Sequence, residues 1–272
     1  MFSPYYAWSG RKDPFNHCAL NVALYRPKGV GNVWAMTERG RANCEASKDH
    51  FQIGRSALQW KDDCLEIRID ETATLIPRAV KGVVRIRPLF LNDEGFHIDN
   101  QKRHFWRLIA PVADVEASFS VPDLNWEGRG YLDSNAGAEA LEDGFANWDW
   151  ARLTSEDDRA TILYNCAPRV GAPTSLALNF SKAGVDRIAS PPSTKLPPTR
   201  IWRIARETPA DAGTQPRIVR TLEDTPFYAR SEIENTVEGK RLPGVHEAFD
   251  GDRLQRSIVK AMLTFRMPRR AH

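Results

Sequence analysis

Residues 104–133, HFWRLIAPVADVEASFSVPDLNWEGRGYLD, contain the pattern that decides the fold. Within them Val115, Ala117, Phe119 and Val121 alternate with polar residues. Strict alternation of this kind predicts a β-strand with one buried face. The stretch therefore predicts a strand in a sheet that is buried on one side.

The same stretch carries two pairs of chemically useful side chains. His104 and Trp106 are two residues apart, and so are Tyr131 and Asp133. In extended strands, residues two apart share a face, so each pair would project from one side of a sheet. An acid among aromatic rings suits proton transfer to an apolar molecule, because ring faces stabilise a transient carbocation. The alternative interpretation is that the aromatic residues only form a core.

Strand candidates continue on both sides of this stretch. Residues 17–25 and 33–38 predict a hairpin around a turn at 26–32. The other candidates are residues 51–60, 64–70, 82–91, 103–110, 113–121, 160–166, 175–180, 200–206, 217–222 and 226–233. Turn signals roughly every ten residues are typical of a β-sandwich or barrel.

Residues 123–150 are less regular and predict a domain junction, with one domain over 1–145 and a second over 146–272. Within this part, AGAEALEDGF (136–145) predicts a helical turn with Asn135 as a possible cap.

Two further segments depart from the β pattern. The proline-rich segment at 190–199 predicts a turn or linker instead of a strand. One helix is predicted near the end, capped around Asp250 and ended by Pro268. The arginines that follow its apolar stripe, Arg266, Arg269 and Arg270, are interpreted as a solvated tail or as a membrane-surface contact.

Composition excludes several classes of function. The chain has 272 residues, 42% hydrophobic and 27% charged, with a net charge of only +3, so nucleic acid is not a predicted partner. Four widely spaced cysteines predict reduced thiols in a cytoplasmic protein. Six histidines form no H-x-H pair, and nucleotide-binding motifs are missing, so neither a metal nor a cofactor site is predicted. No apolar run is long enough to cross a bilayer.

Seven blocks resemble the carotenoid 1,2-hydratases, also called hydroxyneurosporene synthases. The blocks occur in the family's order and span nearly the whole chain: FSPYYAW (2–8), HCALNVALY (17–25), WAMTERGR (34–41), GYLDSN (130–135), WDWAR (148–152), LEDTPFYAR (222–230) and FRMPRR (265–270). The resemblance implies a mainly β fold of two lipocalin-like antiparallel β-barrel or sandwich domains. It also implies cofactor-free addition of water to the terminal C1–C2 double bond of an acyclic carotenoid.

The resemblance selects His104, Trp106, Tyr131 and Asp133, the four residues that the strand pattern had selected. Asp133 is expected to be the general acid, with its pKa raised by burial in an apolar pocket. Trp106 and Tyr131 are expected to stabilise the cation, and His104 to hold the attacking water or take its proton.

Each assignment has a structural alternative. Asp133 would cap a turn, Trp106 and Tyr131 would be core residues, and His104 would be a hydrogen-bonded residue at the edge of the sheet. Other acids compete for the catalytic role, and ion pairs within the fold are their expected use, with a supporting role open for two of them, Asp149 and Asp224. The competing acids are Glu38, Asp149, Glu223 and Asp224.

Two rival functions remain from other classes. A lipocalin-like binder of apolar ligands would use the aromatic pocket without chemistry, and a pericyclase on a similar scaffold would shape a polyene without an acid. Since acyclic carotenoids reside in membranes, the chain is predicted to be cytoplasmic and peripherally associated with the membrane surface.

Overall fold

A computed structural model describes residues 3–26, 31–74 and 76–270 of the protein. The chain divides into two compact units. Unit 1 comprises residues 1–89, 113–131 and 260–272, and unit 2 comprises residues 90–112 and 132–259. Both consist mainly of antiparallel strands, which confirms the predicted mainly β class. The division at residues 145 and 146 stays a prediction.

The first unit contains a short helix followed by a run of hairpins. Its elements are α1 (Pro4–Trp8), β1 (Cys18–Leu24), β2 (Val33–Arg39), β3 (Cys44–Ala46), β4 (His50–Ile53), β5 (Ser56–Lys61), β6 (Cys64–Thr72) and β7 (Ala79–Pro88). Strands β1 and β2 form the predicted hairpin, and residues 27–30 of its turn lie outside the described residues.

Two long strands contribute residues to both units. They are β9 (His104–Val121) and β10 (Asp123–Gly137). Sequence predicts two strands, 103–110 and 113–121, where the structure has the single strand β9, so only the break between them was wrong; the irregular segment predicted for the second was wrong throughout β10. A Cβ on Gly130 would lie 2.5 Å from Val115, so the glycine lets β10 approach β9 closely. The sheet order is β10-β9-β7-β6-β5-β4-β3, and the short β8 (Phe96–His97) also pairs with β9.

The second unit is built on a seven-stranded sheet. Its elements are α2 (Leu141–Gly144), β11 (Phe145–Thr154), β12 (Ala160–Pro168), β13 (Thr174–Ser181), β14 (Gly184–Arg187), β15 (Ser193–Leu196), β16 (Arg206–Pro209), β17 (Arg217–Asp224), β18 (Tyr228–Val237), β19 (Lys240–Asp250) and α3 (Gly251–Gln255). The large sheet has the order β14-β13-β12-β11-β19-β18-β17, and β15 pairs with β16 in a small separate sheet.

Each unit has its own apolar core. In unit 1 the core residues come from β1, β2, β6, β7 and β9 and from the residue that follows β6: Val22, Leu24, Val33, Ala35, Ile69, Ala73, Val80, Ala117 and Phe119. In unit 2 one cluster contains Ala151, Leu153, Leu163, Ala177, Ile233 and Val237. The alternation of these residues with polar neighbours is the reason that the strands form where they do.

Local predictions failed where turn chemistry overrides the apolar pattern. Residues 51–60 form a hairpin because Gly54 takes a left-handed φ of 62°. Residues 200–205 form no strand, whereas β15 lies inside the proline-rich segment at 190–199. Asn135 lies inside β10, and α2 begins after Ala140 instead.

The C-terminal end is more ordered than predicted. Two helices replace the single predicted one, α3 and α4 (Ser257–Arg266), and the side chain of Asp250 caps the first by accepting from the Arg253 backbone N–H. After α4, strand β20 (Arg269–Arg270) pairs in parallel with β2.

The solvated-tail interpretation is therefore wrong for two of the three arginines. Arg269 donates to the buried carboxylate of Glu38, and the guanidinium of Arg266 lies 4.6 Å from the ring centre of Trp34.

Candidate active site

Strand β9 presents the first predicted pair on its buried face. His104 is 3% exposed and Trp106 is 1% exposed, whereas Phe105 between them is 36% exposed. This alternation is the geometry that the spacing of the two residues had predicted. Both residues belong to unit 2, and so does Asp133 on β10.

A direct hydrogen bond joins the two predicted pairs. The indole Nε1 of Trp106 donates to Oδ2 of Asp133 at 3.0 Å. The bond fixes the orientation of the carboxyl group and leaves Oδ1 as the oxygen on which an acidic proton can reside. Asp133 is thus not used to cap a turn with Ser134 and Asn135, all three being strand residues.

The surroundings of Asp133 favour its neutral form. Burial is the largest influence and raises the pKa of the carboxyl group above its ordinary value. The hydrogen bond from Trp106 opposes this, the negative charge of Glu247 raises the pKa further, and the positive charge of Arg230 lowers it. The net direction is upward, as a general acid working near neutral pH requires.

The sheet of unit 2 supplies an aromatic face beside this acid. Its register aligns Tyr164, Trp150, Glu247 and Arg230 in one row across β12, β11, β19 and β18. The next row on the same face contains Cys166, Trp148, Phe249 and Tyr228, because residues two apart on a strand share a face.

Ring contacts connect Trp106 to this face. The ring of Trp106 meets Tyr164 edge-on at 5.8 Å, and Tyr164 meets Trp148 at 5.9 Å. Trp148 in turn stacks on Phe249 at 5.4 Å and contacts Tyr228 at 6.4 Å. The negative charge of Asp133 is one of the influences that raise the pKa of Tyr164, after burial and the charges of Cys166 and Glu247. The acid therefore belongs to the same environment as these rings.

One ion pair lies within the aromatic face. Arg230 donates through Nε to Oε1 of Glu247 at 3.0 Å and also to the hydroxyl of Tyr228 at 3.2 Å. A second donation from the Arg230 guanidinium reaches the same carboxylate. Burial and then the charge of Glu247 raise the pKa of Tyr228, so this phenol stays protonated.

His104 occupies a closely fitted position on the same strand. Its Nε2 lies 3.3 Å from Oε1 of Glu139, and its ring packs on Phe145 at 4.6 Å. A Cβ on Gly144 would come within 2.4 Å of Nε2, and one on Gly137 within 2.8 Å of Nδ1, so both glycines make room for the imidazole. These contacts bring His104 to Glu139 rather than to the carboxyl group of Asp133.

Tyr131 lies on β10 two residues before Asp133, and the strand alternation gives the two residues the same strand face. Its side chain is half-buried. Tyr131 is the last residue of this part of unit 1, and the other three candidates are residues of unit 2.

The competing acids have other partners. Glu38 is fully buried in unit 1, where Ser3, His17 and Arg269 bind its carboxylate. Asp224 accepts from the backbone N–H groups of Ile201 and Trp202, so it fixes a loop.

Asp149 also has a structural environment, on the opposite face of the sheet from Trp148 and Trp150. There its Oδ1 lies 3.1 Å from Nε2 of His246 and accepts from the Glu207 backbone N–H at 3.0 Å. Burial raises the pKa of Asp149 too, which makes it a matched comparison for Asp133.

Sequence reasoning missed half of this environment. Trp148, Tyr228 and Arg230 stand in the blocks WDWAR and LEDTPFYAR, where their two-residue spacing was available as a signal. Glu247 and Phe249 have the same spacing, but the strand that carries them was not predicted at all. Within residues 3–26, 31–74 and 76–270, no group of three or more His, Cys, Asp or Glu side chains is arranged to hold a metal ion. Of the helices in this part of the chain, none has the length and apolar character needed to cross a membrane.

The chain is similar to known proteins along its whole length. A family model described as carotenoid hydratase CrtC matches residues 1–272. The chain is 46% identical over 273 residues to the acyclic carotenoid 1,2-hydratase of Thiocapsa roseopersicina, covering 99% of this chain and 67% of that protein. It is 38% identical over 271 residues to the enzyme of the same name from Cereibacter sphaeroides, covering 99% of this chain and 95% of that protein.

A similar architecture occurs in a solved structure. The crystal structure of a Nitrosomonas europaea protein described as a candidate AttH superposes with a TM-score of 0.62 at 12% sequence identity, over 85% of this chain and 79% of the other. At this identity the likeness concerns the fold alone, and it confirms the predicted lipocalin-like class.

Proposed function

Because the chain belongs to the carotenoid hydratase CrtC family, we propose that it adds water across the terminal C1–C2 double bond of an acyclic carotenoid, without a cofactor. A hydratase is a hydro-lyase, so the family confirms the prediction of a lyase in carotenoid biosynthesis. The substrate and the mechanism are our proposal. The observation that carries it is the half-buried carboxyl group of Asp133, with its raised pKa, held by the indole of Trp106 beside an aromatic sheet face.

The first step requires an acid that is still protonated near neutral pH. Asp133 donates its proton to C2, the π electrons of the C1–C2 bond form the new C2–H bond, and a tertiary cation remains at C1. The raised pKa of Asp133 supports this role. The Trp106 bond to Oδ2 supports it as well, because a fixed carboxyl group needs no reorientation before proton transfer.

The cation then needs stabilisation until water reaches it. Aromatic faces provide about 2 kcal/mol or more to a desolvated cation, and we assign this task to Trp106 and Tyr131. Attack of water on C1 and loss of one water proton give the tertiary alcohol. The net reaction is the addition of one water molecule, and Asp133 ends protonated as it began.

His104 has two candidate roles in the proposal, holding the attacking water and positioning Trp106, and its contacts favour the second. Holding the attacking water stays a prediction from sequence. The close fit against Gly144 and Phe145 and the bond to Glu139 favour a positioning role, in which His104 fixes the start of the strand that carries Trp106. A positioning role leaves open which group accepts the proton of the attacking water.

The test is turnover of an acyclic carotene in detergent, run in H₂¹⁸O. We expect a hydroxylated product that carries ¹⁸O. Binding without product would instead indicate a lipocalin-like carrier, and a rearranged product without solvent oxygen would indicate a pericyclase. Asp133→Asn is expected to abolish product because an amide cannot donate the proton, and Asp133→Glu is expected to be poor because the acid is displaced by about 1 Å.

Asp149→Asn is the matched control, because Asp149 is also a strand carboxyl group whose pKa is raised by burial, but it lies on the face of β11 opposite to Trp148 and Trp150. It should retain turnover. Loss in both variants, or in neither, would remove Asp133 from the role of acid.

A further inference from the structure

Two carboxyl groups in unit 2 have opposite kinds of partner. Asp133 receives one neutral donor, the indole of Trp106, whereas Glu247 receives the charged guanidinium of Arg230 through two of its nitrogens. A neutral donor in an apolar setting leaves a carboxyl group able to hold its proton, whereas the guanidinium makes charge-assisted hydrogen bonds to a carboxylate. Two carboxyl groups with such different partners are suited to different roles, one as an acid and the other as a base.

Glu247 lies where it faces the same environment as Asp133. It shares a sheet face with Trp148 and Tyr228, and its charge is felt by Asp133, Tyr164 and Tyr228. Its side chain is 15% exposed, so it is mostly removed from solvent.

The indole N–H of Trp148 on this face indicates that an oxygen atom of a ligand or water binds there. The Nε1 of Trp148 is buried, and among the described residues it has no acceptor within hydrogen-bond distance. Burying an N–H group without an acceptor is costly, so such a group normally meets a ligand or water in use. A carotenoid hydrocarbon offers no acceptor, but the oxygen of attacking water and the hydroxyl group of the product both do.

We propose that Glu247 is the general base of the hydration, with the indole N–H of Trp148 holding the oxygen of the attacking water. This inference rests on the proposed function. Once Asp133 has protonated C2, a lone pair of the water oxygen forms the C1–O bond, and the Glu247 carboxylate takes one proton from that oxygen. The proton then passes from Glu247 through solvent to the Asp133 carboxylate, which restores both groups and leaves the alcohol as the only product.

The experiment separates protonation of the substrate from capture of the cation. Wild type and Glu247→Gln are each incubated with an acyclic carotene in D₂O, and product and recovered substrate are analysed by mass spectrometry. The amide keeps the shape of the side chain and an oxygen for Arg230, but it cannot accept the proton. We expect product formation to fall about 10²–10⁴-fold.

Recovered substrate should meanwhile gain deuterium. Asp133 delivers a deuteron to C2, and a cation that is not captured returns a hydrogen from C2 to the Asp133 carboxylate. A role for Glu247 in folding alone would not produce this exchange. Glu234→Gln is the control, since Glu234 is also a glutamate held by arginines, Arg217 and Arg241, four residues from Arg230 on β18. Glu234→Gln should keep wild-type product formation and should not introduce deuterium into the recovered substrate.

Three results would overturn the inference while leaving the hydratase function intact. They are near wild-type product formation by Glu247→Gln, loss of product without deuterium in the substrate, and exchange caused by His104→Asn instead. If Glu247→Gln does not fold, Trp148→Phe removes the indole N–H and part of the ring while keeping an aromatic side chain, and it should give the same exchange with a smaller loss of product. Absence of hydroxylated product from wild type would instead refute the proposed function.

Discussion

Replacing Asp133 with asparagine should change how the stability of the protein depends on pH. The amide oxygen can still accept from Trp106 Nε1, which lies 3.0 Å from Oδ2 in the native side chain, so packing is preserved. What disappears is one ionisable group whose pKa is raised on folding, chiefly by burial. The variant therefore isolates the contribution of that ionisation to the free energy of unfolding.

The sign and size of the effect follow from proton linkage. In unfolded chains an aspartate has a pKa of about 3.9. Between that value and the raised pKa of Asp133, the folded protein binds a proton that the unfolded chain has lost. Stability from this group is thus fully present below about pH 3.9 and is lost as pH rises through the folded pKa, with a slope of at most about 1.4 kcal/mol per pH unit. Asparagine has no such slope, so the variant gains relative to wild type as pH rises.

The assay is denaturant unfolding of wild type and variant at half-unit steps from pH 2 to pH 9, and the quantity compared is the difference between their free energies of unfolding. Asp99→Asn is a control of opposite sign. Burial raises the pKa of Asp99, but the backbone N–H groups of His104 and Arg103 outweigh it, so the net direction is downward. The stability that ionised Asp99 gives wild type over Asp99→Asn should therefore be lost as pH falls below about 3.9. A difference between wild type and Asp133→Asn that does not vary with pH would show that Asp133 is not held neutral by the fold.

Two more outcomes are expected from the described contacts. Trp106→Phe should lose less turnover than Trp106→Ala, because phenylalanine keeps a ring face for the cation whereas alanine leaves a cavity that costs about 3–5 kcal/mol; equal losses in kcat/KM with equal Tm would mean that Trp106 only fills space. The second outcome concerns delivery of the substrate, for which we propose that α4 docks on a membrane surface. Ile258 and Phe265 lie seven residues apart on one face of this helix and are 67% and 72% exposed. The helix contains basic residues and no acidic ones. Replacing both by serine should abolish sedimentation with anionic vesicles and preserve turnover in detergent, while the equally exposed Ile76→Ser should change neither. Wild type that ignores anionic vesicles at low salt would contradict the docking.

The elements that could be predicted from sequence are those governed by a local rule. The alternation from Val115 to Val121 and the hairpin of β1 and β2 follow from side-chain period and turn residues, and both are present in the structure. Strand β19 was missed because Pro243 and Gly244 interrupt its pattern. The glycine is required there by position: a Cβ on Gly244 would lie 2.3 Å from the Arg152 carbonyl oxygen, so the glycine permits a close approach of neighbouring strands. That requirement comes from the partner strand, and no local pattern within β19 contains it.

The candidate site shows the same limit at the level of single side chains. The period of two predicts that Trp148 and Trp150 share a face and that Asp149 between them points the other way. What it cannot predict is which face meets Asp133, because that depends on the register of β11 against β12 and β19. A shift of one residue would exchange the two faces of β11 and bring Asp149 to the side of Tyr164 and Phe249. The observed register brings Glu247 there instead. For this reason the sequence shows Asp149 among aromatic residues, whereas no local pattern places Glu247 on the face that carries the rings.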